Sequence, residues 1–167
     1  MALTPAPETS APLTTAAAAP LAQPLAQWAD GPVFQAAVAW AMQPAGMGAV
    51  LGAMPPEQLK AFAADRAAMR GNAPRMVLPD ATAQLRAHLT AVDAQLAAGG
   101  PWLFGAAPAI ADFAFGHCLW FIRRAAPVAG LLDAYPAVGP WLDRLLAIGH
   151  GTHTPLDSGE ALAMARS

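Results

Sequence analysis

Few side chains in this chain of 167 residues could carry chemistry, and each has a plainer use beside it. Cys118 is the one cysteine, so it forms no intrachain disulfide and anchors no cysteine-based metal site. It is either a reactive thiol or, among its apolar helix neighbours, a small core residue. His150-Gly-Thr-His153 brings two imidazoles close in sequence, with Asp157 nearby. A glycine loop without a third ligand at fixed spacing lacks metal geometry, so no metal is expected. Arg123-Arg124 would bind an anion, or else complement the negative end of the helix that they close. Asp143-Arg144 and Asp65-Arg66 read as acid–base pairs or as solvated ion pairs. Asp112, in Ala109-Ile-Ala-Asp112, fits the third position of a helix capped by Ala109. There its carboxylate accepts a hydrogen bond from the N–H of residue 109.

The stretch that must position these groups is PWLFGAAPAIADFAFGHCLWFIRR, from Pro101 to Arg124. Gly105 permits a sharp turn after Trp102-Leu103-Phe104, and Pro108 leads into the helix. Ile110, Phe113, His117, Trp120 and Arg124 then share one stripe, and Ala114, Cys118, Phe121 and Ala125 the next. A helix apolar around most of its circumference is the central member of a bundle, and Pro127 stops it.

Around it the periodicity predicts further helices. From Leu25, the residues Trp28, Phe34, Val38 and Met42 make a buried stripe, interrupted at Gly31-Pro32 by a kink or a fresh start. The run PAGMGAVLGAMP reads as a loop with one helical turn. A helix spans Pro56 to Arg70, with Leu59, Phe62 and Arg66 on one face. Residues 71–77 link it to another that opens at Pro79-Asp80, carries Leu85, Leu89, Val92 and Leu96, and ends at Gly99-Gly100. A short helix over 127–133 precedes one from Pro136 with Val138, Trp141, Leu142, Leu145 and Ile148 inward. A last one runs from Ser158 to Ala165. No strand and no internal repeat is expected.

Composition agrees. Hydrophobic residues make up 56% and charged residues only 12%, about half the usual charged share. Much of the apolar fraction is alanine, the strongest helix former. The net charge is −2, Lys60 is the only lysine, and the arginines are scattered. Nothing here suits nucleic acid or an anionic membrane. No apolar run approaches the ~18 residues of a membrane span. The opening MALTPAPETS lacks the features of a secretory signal, so a cytoplasmic protein is expected. The Pro-, Ala- and Thr-rich start predicts a disordered tail over residues 1–24 and one helical domain over 25–167.

WLFG, AIADF and AYPAVGPWLDRLLAIGHG resemble the C-terminal helical domain of bacterial glutathione transferases, and the likeness extends from about Leu25 to the end of the chain. The family's helix entry is usually Ser/Thr-x-x-Asp, often T-I-A-D-F. Asp112 and Phe113 are kept, whereas Ala109 replaces the hydroxyl residue, a loss of roughly 0.5–2 kcal/mol. The resemblance implies an all-α fold, a glutathione transferase C-terminal-like bundle, with one continuous helix kinked at Pro32.

In that family an N-terminal thioredoxin-like domain activates the thiol of glutathione, supplying the catalytic Ser, Tyr or Cys. No βαβ pattern is present here, so no catalytic residue is expected. Glutathione would enter as cosubstrate only with a thioredoxin-like partner domain. What the resemblance implies for this chain is the electrophile-facing half of a site, in a truncated or split transferase inactive by itself. The residues are Phe34, Trp40, Met42 and Met47, with His117, Trp120 and Arg124 on the central helix; core packing is the alternative for the apolar ones. Asp30 would reach a glutathione amine, or else be solvated or capping. The implied partners are a second copy, a thioredoxin-like domain or an apolar small molecule. The other reading is a stand-alone helical interaction module, of the kind attached to translation factors and synthetase complexes.

Overall fold

A computed structural model describes residues 19–149, 151 and 154–166. Among these the regular structure is helical, and the one isolated bridge, Trp102 with Gly105, closes a turn. The fold is all-α, as expected.

The first stretch is continuous from Ala19 to Ala41: α1 (Ala19–Trp28), a π-helical turn (Ala29–Val33) and α2 (Phe34–Ala41). It begins at Ala19 rather than Leu25, so the tail expected over residues 1–24 gives way to helix at 19–24; residues 1–18 lie outside the described ones. Pro32 explains the π turn. Its nitrogen has no hydrogen to donate and its ring crowds the preceding turn. Widening the turn by one residue relieves both, and the Phe34 N–H donates to the Ala29 carbonyl five residues back.

That extra residue also rotates the inward face. The buried side chains are Ala22, Ala26, Ala29, Val33, Ala36, Ala37 and Ala41, not the expected stripe of Trp28, Phe34, Val38 and Met42. Three of these four are half-buried, and Phe34 faces out. Small residues on the inner face let α1 and α2 lie close against the helices they contact.

The glycine-rich run expected as a loop forms α3 (Pro44–Leu51). Pro44 opens it, where a missing N–H costs nothing. Gly46 is buried against α2, and a Cβ there would stand 2.2 Å from the Ala41 carbonyl oxygen. The residue that discourages a helix locally is therefore the one that lets this helix dock.

α4 (Pro56–Arg70) matches expectation in extent but buries none of its residues. α5 (Leu78–Gly99) buries Leu85, Leu89, Val92 and Leu96, as their spacing predicts, and Ala81 as well. α6 (Ile110–Arg124) is central, packed by α1, α2, α7 and the segment after it. That segment, Ala126–Ala134, is a 3₁₀ helix. α7 (Val138–Ala147) starts at Val138 rather than Pro136; Val138, Trp141, Leu142 and Leu145 are buried, whereas Ile148 lies beyond its end and is exposed. α8 (Ser158–Ala165) begins at an Asp157 cap, whose Oδ1 accepts from the Gly159 and Glu160 N–H groups. Gly116 on α6 fixes the closest approach to α7, since a Cβ there would fall 1.9 Å from a Leu145 methyl carbon.

Candidate functional site

The start of α6 is held by one fully buried carboxylate. Asp112 Oδ2 accepts from the Ala109 N–H at 2.8 Å, as the helix-entry pattern requires. Oδ1 accepts two further bonds, from the Leu103 N–H at 2.9 Å and from Trp141 Nε1–H at 2.8 Å. Asp112 thus ties the turn before α6, its first turn and α7 together. The other arm of a capping box is missing because Ala109 ends in a methyl; the Asp112 N–H donates to the Ala109 carbonyl instead, at 2.9 Å. The turn is closed by paired bonds between Trp102 and Gly105, with Gly105 at φ +108°. Arg144 covers it, donating to the Pro101 carbonyl at 2.9 Å with its guanidinium 5.9 Å from the Trp102 ring centre.

With α6 fixed in this way, its stripe of Ala111, Ala114, Phe115, Cys118, Leu119 and Ile122 points inward. The stripe of His117, Trp120 and Arg124 points to solvent. Phe34 on α2 stacks on His117, ring centres 5.1 Å apart and planes 27° off parallel. His117 Nδ1 lies 3.2 Å from the Ala114 carbonyl and 4.0 Å from Asp30 Oδ1. One helical turn further on, the Arg124 guanidinium sits 5.3 Å from the Trp120 ring centre. Phe34, Trp120 and His117 are each more than a third exposed. Together these four side chains, with Asp30 at one end, form an aromatic and cationic ridge.

Three of the seven expected site residues lie elsewhere. Trp40 donates Nε1–H to the Val128 carbonyl at 2.9 Å and pins α2 to the 3₁₀ segment. Met42 ends α2 and is half-buried, while Met47 is exposed on α3. α2 and α6 run in the same sense, with Phe34 beside His117 near one end and Trp40 beside Val128 past the other. None of the seven lines the cleft of about 750 Å³ at the end of α6, where Arg123, Pro127, Leu132, Asp133, Tyr135 and Pro136 meet.

Cys118 is not poised to react. Its thiol is buried and donates to the Ala114 and Ala29 carbonyls at 3.3 and 3.5 Å. Burial, with the nearby Asp30 charge adding to it, pushes its pKa up to about 12. The arginine pair is split, for Arg123 donates to Asp143 at 2.6 Å across to α7 while Arg124 covers Trp120. Asp143 therefore pairs with Arg123 rather than its neighbour Arg144, whereas Asp65 and Arg66 pair with each other on the surface. No cluster of three metal-ligating side chains occurs among the described residues, and His150 and His153 lie outside them. No helix among the described residues is long and apolar enough to cross a membrane.

The sequence singled out the ridge residues but not the second and third bonds of Asp112, nor the orphaned His88. His88 on α5 stands edge-on to Trp28 at 4.5 Å between ring centres, and its buried Nε2 has no hydrogen-bond partner. Burial lowers its pKa below the usual 6.5.

Comparison with known proteins finds likeness both to a family model and to solved structures. The family model for the glutathione S-transferase C-terminal domain matches residues 58–144. A crystal structure of a GST-like protein from Pseudomonas syringae superposes with a TM-score of 0.64 at 31% identity, covering 95% of this chain and 46% of that one. This chain therefore spans about half the length of the solved protein that it resembles. No curated protein matches it.

Proposed function

The chain belongs to the glutathione S-transferase family through its C-terminal domain, and from that premise we propose that it forms the electrophile-facing half of a transferase-like protein and needs a thiol-activating domain to turn over. The observation that carries this reading is the outward stripe of α6. A helix packed on its other sides leaves Trp120, His117 and Arg124 in solvent beside Phe34, although burying an aromatic side chain is worth about 1.5–3 kcal/mol. Aromatic and arginine side chains grouped on one rigid face are the usual anchors of a protein interface. On this reading the ridge carries a thioredoxin-like domain, which would bring glutathione. The exposed apolar residues beside it would line the electrophile's side of the joint site. Asp30 lies at the edge of the ridge, where the amine of a bound tripeptide would meet a carboxylate. The protein acts in the cytoplasm.

The test is direct. The purified 167-residue chain should not be retained on glutathione resin and should not conjugate a generic aryl electrophile to glutathione. Robust turnover by this chain alone refutes the reading.

A second reading, a stand-alone interaction module, is favoured by α4, which buries none of its residues. Mass by size-exclusion chromatography with light scattering separates the two, because a strict monomer that copurifies with nothing counts against the module.

A further inference from the structure

Where α6 gives way to the 3₁₀ segment, the cleft of about 750 Å³ is large enough to take a small molecule, and no ridge side chain lines it. Its lining is largely apolar. Leu132, 9% exposed, makes the floor, and Pro127 and Pro136 add to the walls. Bonds from distant parts of the chain fix these walls in advance. Trp40 on α2 holds the Val128 carbonyl at 2.9 Å, and Asp93 on α5 accepts from the Ala137 N–H at 2.7 Å. The Tyr135 hydroxyl reaches the Arg86 carbonyl at 3.4 Å, which leaves its ring to line the cleft. A site already formed loses less binding free energy to ordering.

Charge selects the occupant. Two charged side chains line the cleft, Arg123 and Asp133. Arg123 is already balanced, because it donates to Asp143 Oδ1 at 2.6 Å. The Asp133 carboxylate has no ion-pair or hydrogen-bond partner among the described residues. The carbonyl end of α6 opens on the same cleft, and a helix C-terminus favours positive charge. We infer that the cleft binds a small organic ammonium ion with an apolar or aromatic body. The nitrogen donates to Asp133, the body lies against Leu132 and the prolines, and the Tyr135 ring attracts the cation with its π face. A carboxylate ligand would meet an unpaired carboxylate and a guanidinium whose charge is taken.

Asp133 is exposed, so water competes for the nitrogen and binding is weak, in the millimolar range. The inference stands apart from the transferase reading, since no residue in it belongs to the ridge.

Titration of the full isotope-labelled chain with benzylamine, protonated at neutral pH, tests it through amide chemical shifts. Saturable shifts centred on Gly130, Asp133 and Gly139 are expected, and benzoate should give none there. Asp133→Asn keeps the shape, removes the charge and should weaken binding about threefold or more. Gly130→Leu should abolish it by filling the cleft. A Cβ at Gly130 would lie 3.6 Å from Asp133 Oδ2, an ordinary contact that the backbone accepts. Both positions are exposed, so circular dichroism and the thermal midpoint should stay unchanged. Four results overturn the inference: no saturable shifts at the cleft with benzylamine, equal binding of benzoate, undiminished binding in Asp133→Asn, or undiminished binding in Gly130→Leu.

Discussion

A carboxylate with no exposed surface has to find its hydrogen bonds inside the protein, and Asp112 finds three, from Ala109, Leu103 and Trp141. Removing it leaves two backbone N–H groups and an indole N–H buried and unpaired, each costing about 1–3 kcal/mol. Asp112→Ala should therefore cost at least about 3 kcal/mol, read as a lower midpoint in urea or a failure to fold. Ala109 offers the reverse experiment. Its backbone is extended, at φ −114° and ψ 169°, as an N-cap requires, and only the side-chain acceptor is missing. Ala109→Ser should add about 0.5–2 kcal/mol, raising the thermal midpoint by roughly 2–4 °C per kcal/mol. His88 makes stability depend on pH. Burial holds its folded pKa below 6.5, so as pH falls through 6.5 the unfolded chain takes up the proton first. Stability is then lost between 6.5 and the lower folded pKa, with no further loss from this group below it. Thermal melts from pH 7.5 to 5 should show this, and His88→Phe should remove its share of the slope.

At the scale of elements, close approach decides what local preference leaves open. Gly46 lets α3 lie against the end of α2, where the atom facing it is a backbone carbonyl that has nowhere to move. Gly46→Ala should cost about 1–3 kcal/mol, although alanine is the better helix former by ~1 kcal/mol. A gain in stability would mean that α3 is not docked on the Ala41 carbonyl. Gly116 faces the end of a leucine side chain instead, which can turn aside, so Gly116→Ala should be the milder change. The π turn follows the same logic. Pro32 forbids the regular bond, and the phase shift that results hands the contact face to alanines while turning Phe34 toward His117.

At the scale of the whole molecule, the fold surrounds α6 on its inner sides and leaves the ridge open. Phe34→Ser with Trp120→Ser should lower the binding of a hydrophobic dye and leave the thermal midpoint within about 2 °C, since substitutions at exposed sites rarely exceed ±0.5 kcal/mol. A large drop would place these rings in the core instead. The sequence by itself determined what bonds between near neighbours determine. The heptad-like stripe of α5, the entry to α6 at Ala109 and Asp112, the start of the last helix at Ser158 and the all-helical class were all legible, because each rests on residues within one or two turns of each other. The C-terminal transferase likeness was legible for the same reason, through short local signatures in order. The tertiary structure decided the rest. The Trp141 bond to Asp112 spans 29 residues and the Trp40 bond to Val128 spans 88. Nothing local distinguishes these indoles from ordinary apolar fillers. Whether a glycine breaks a helix or docks it, and which stripe of an alanine-rich helix faces inward, depend on what stands opposite, and only the folded chain supplies that neighbour.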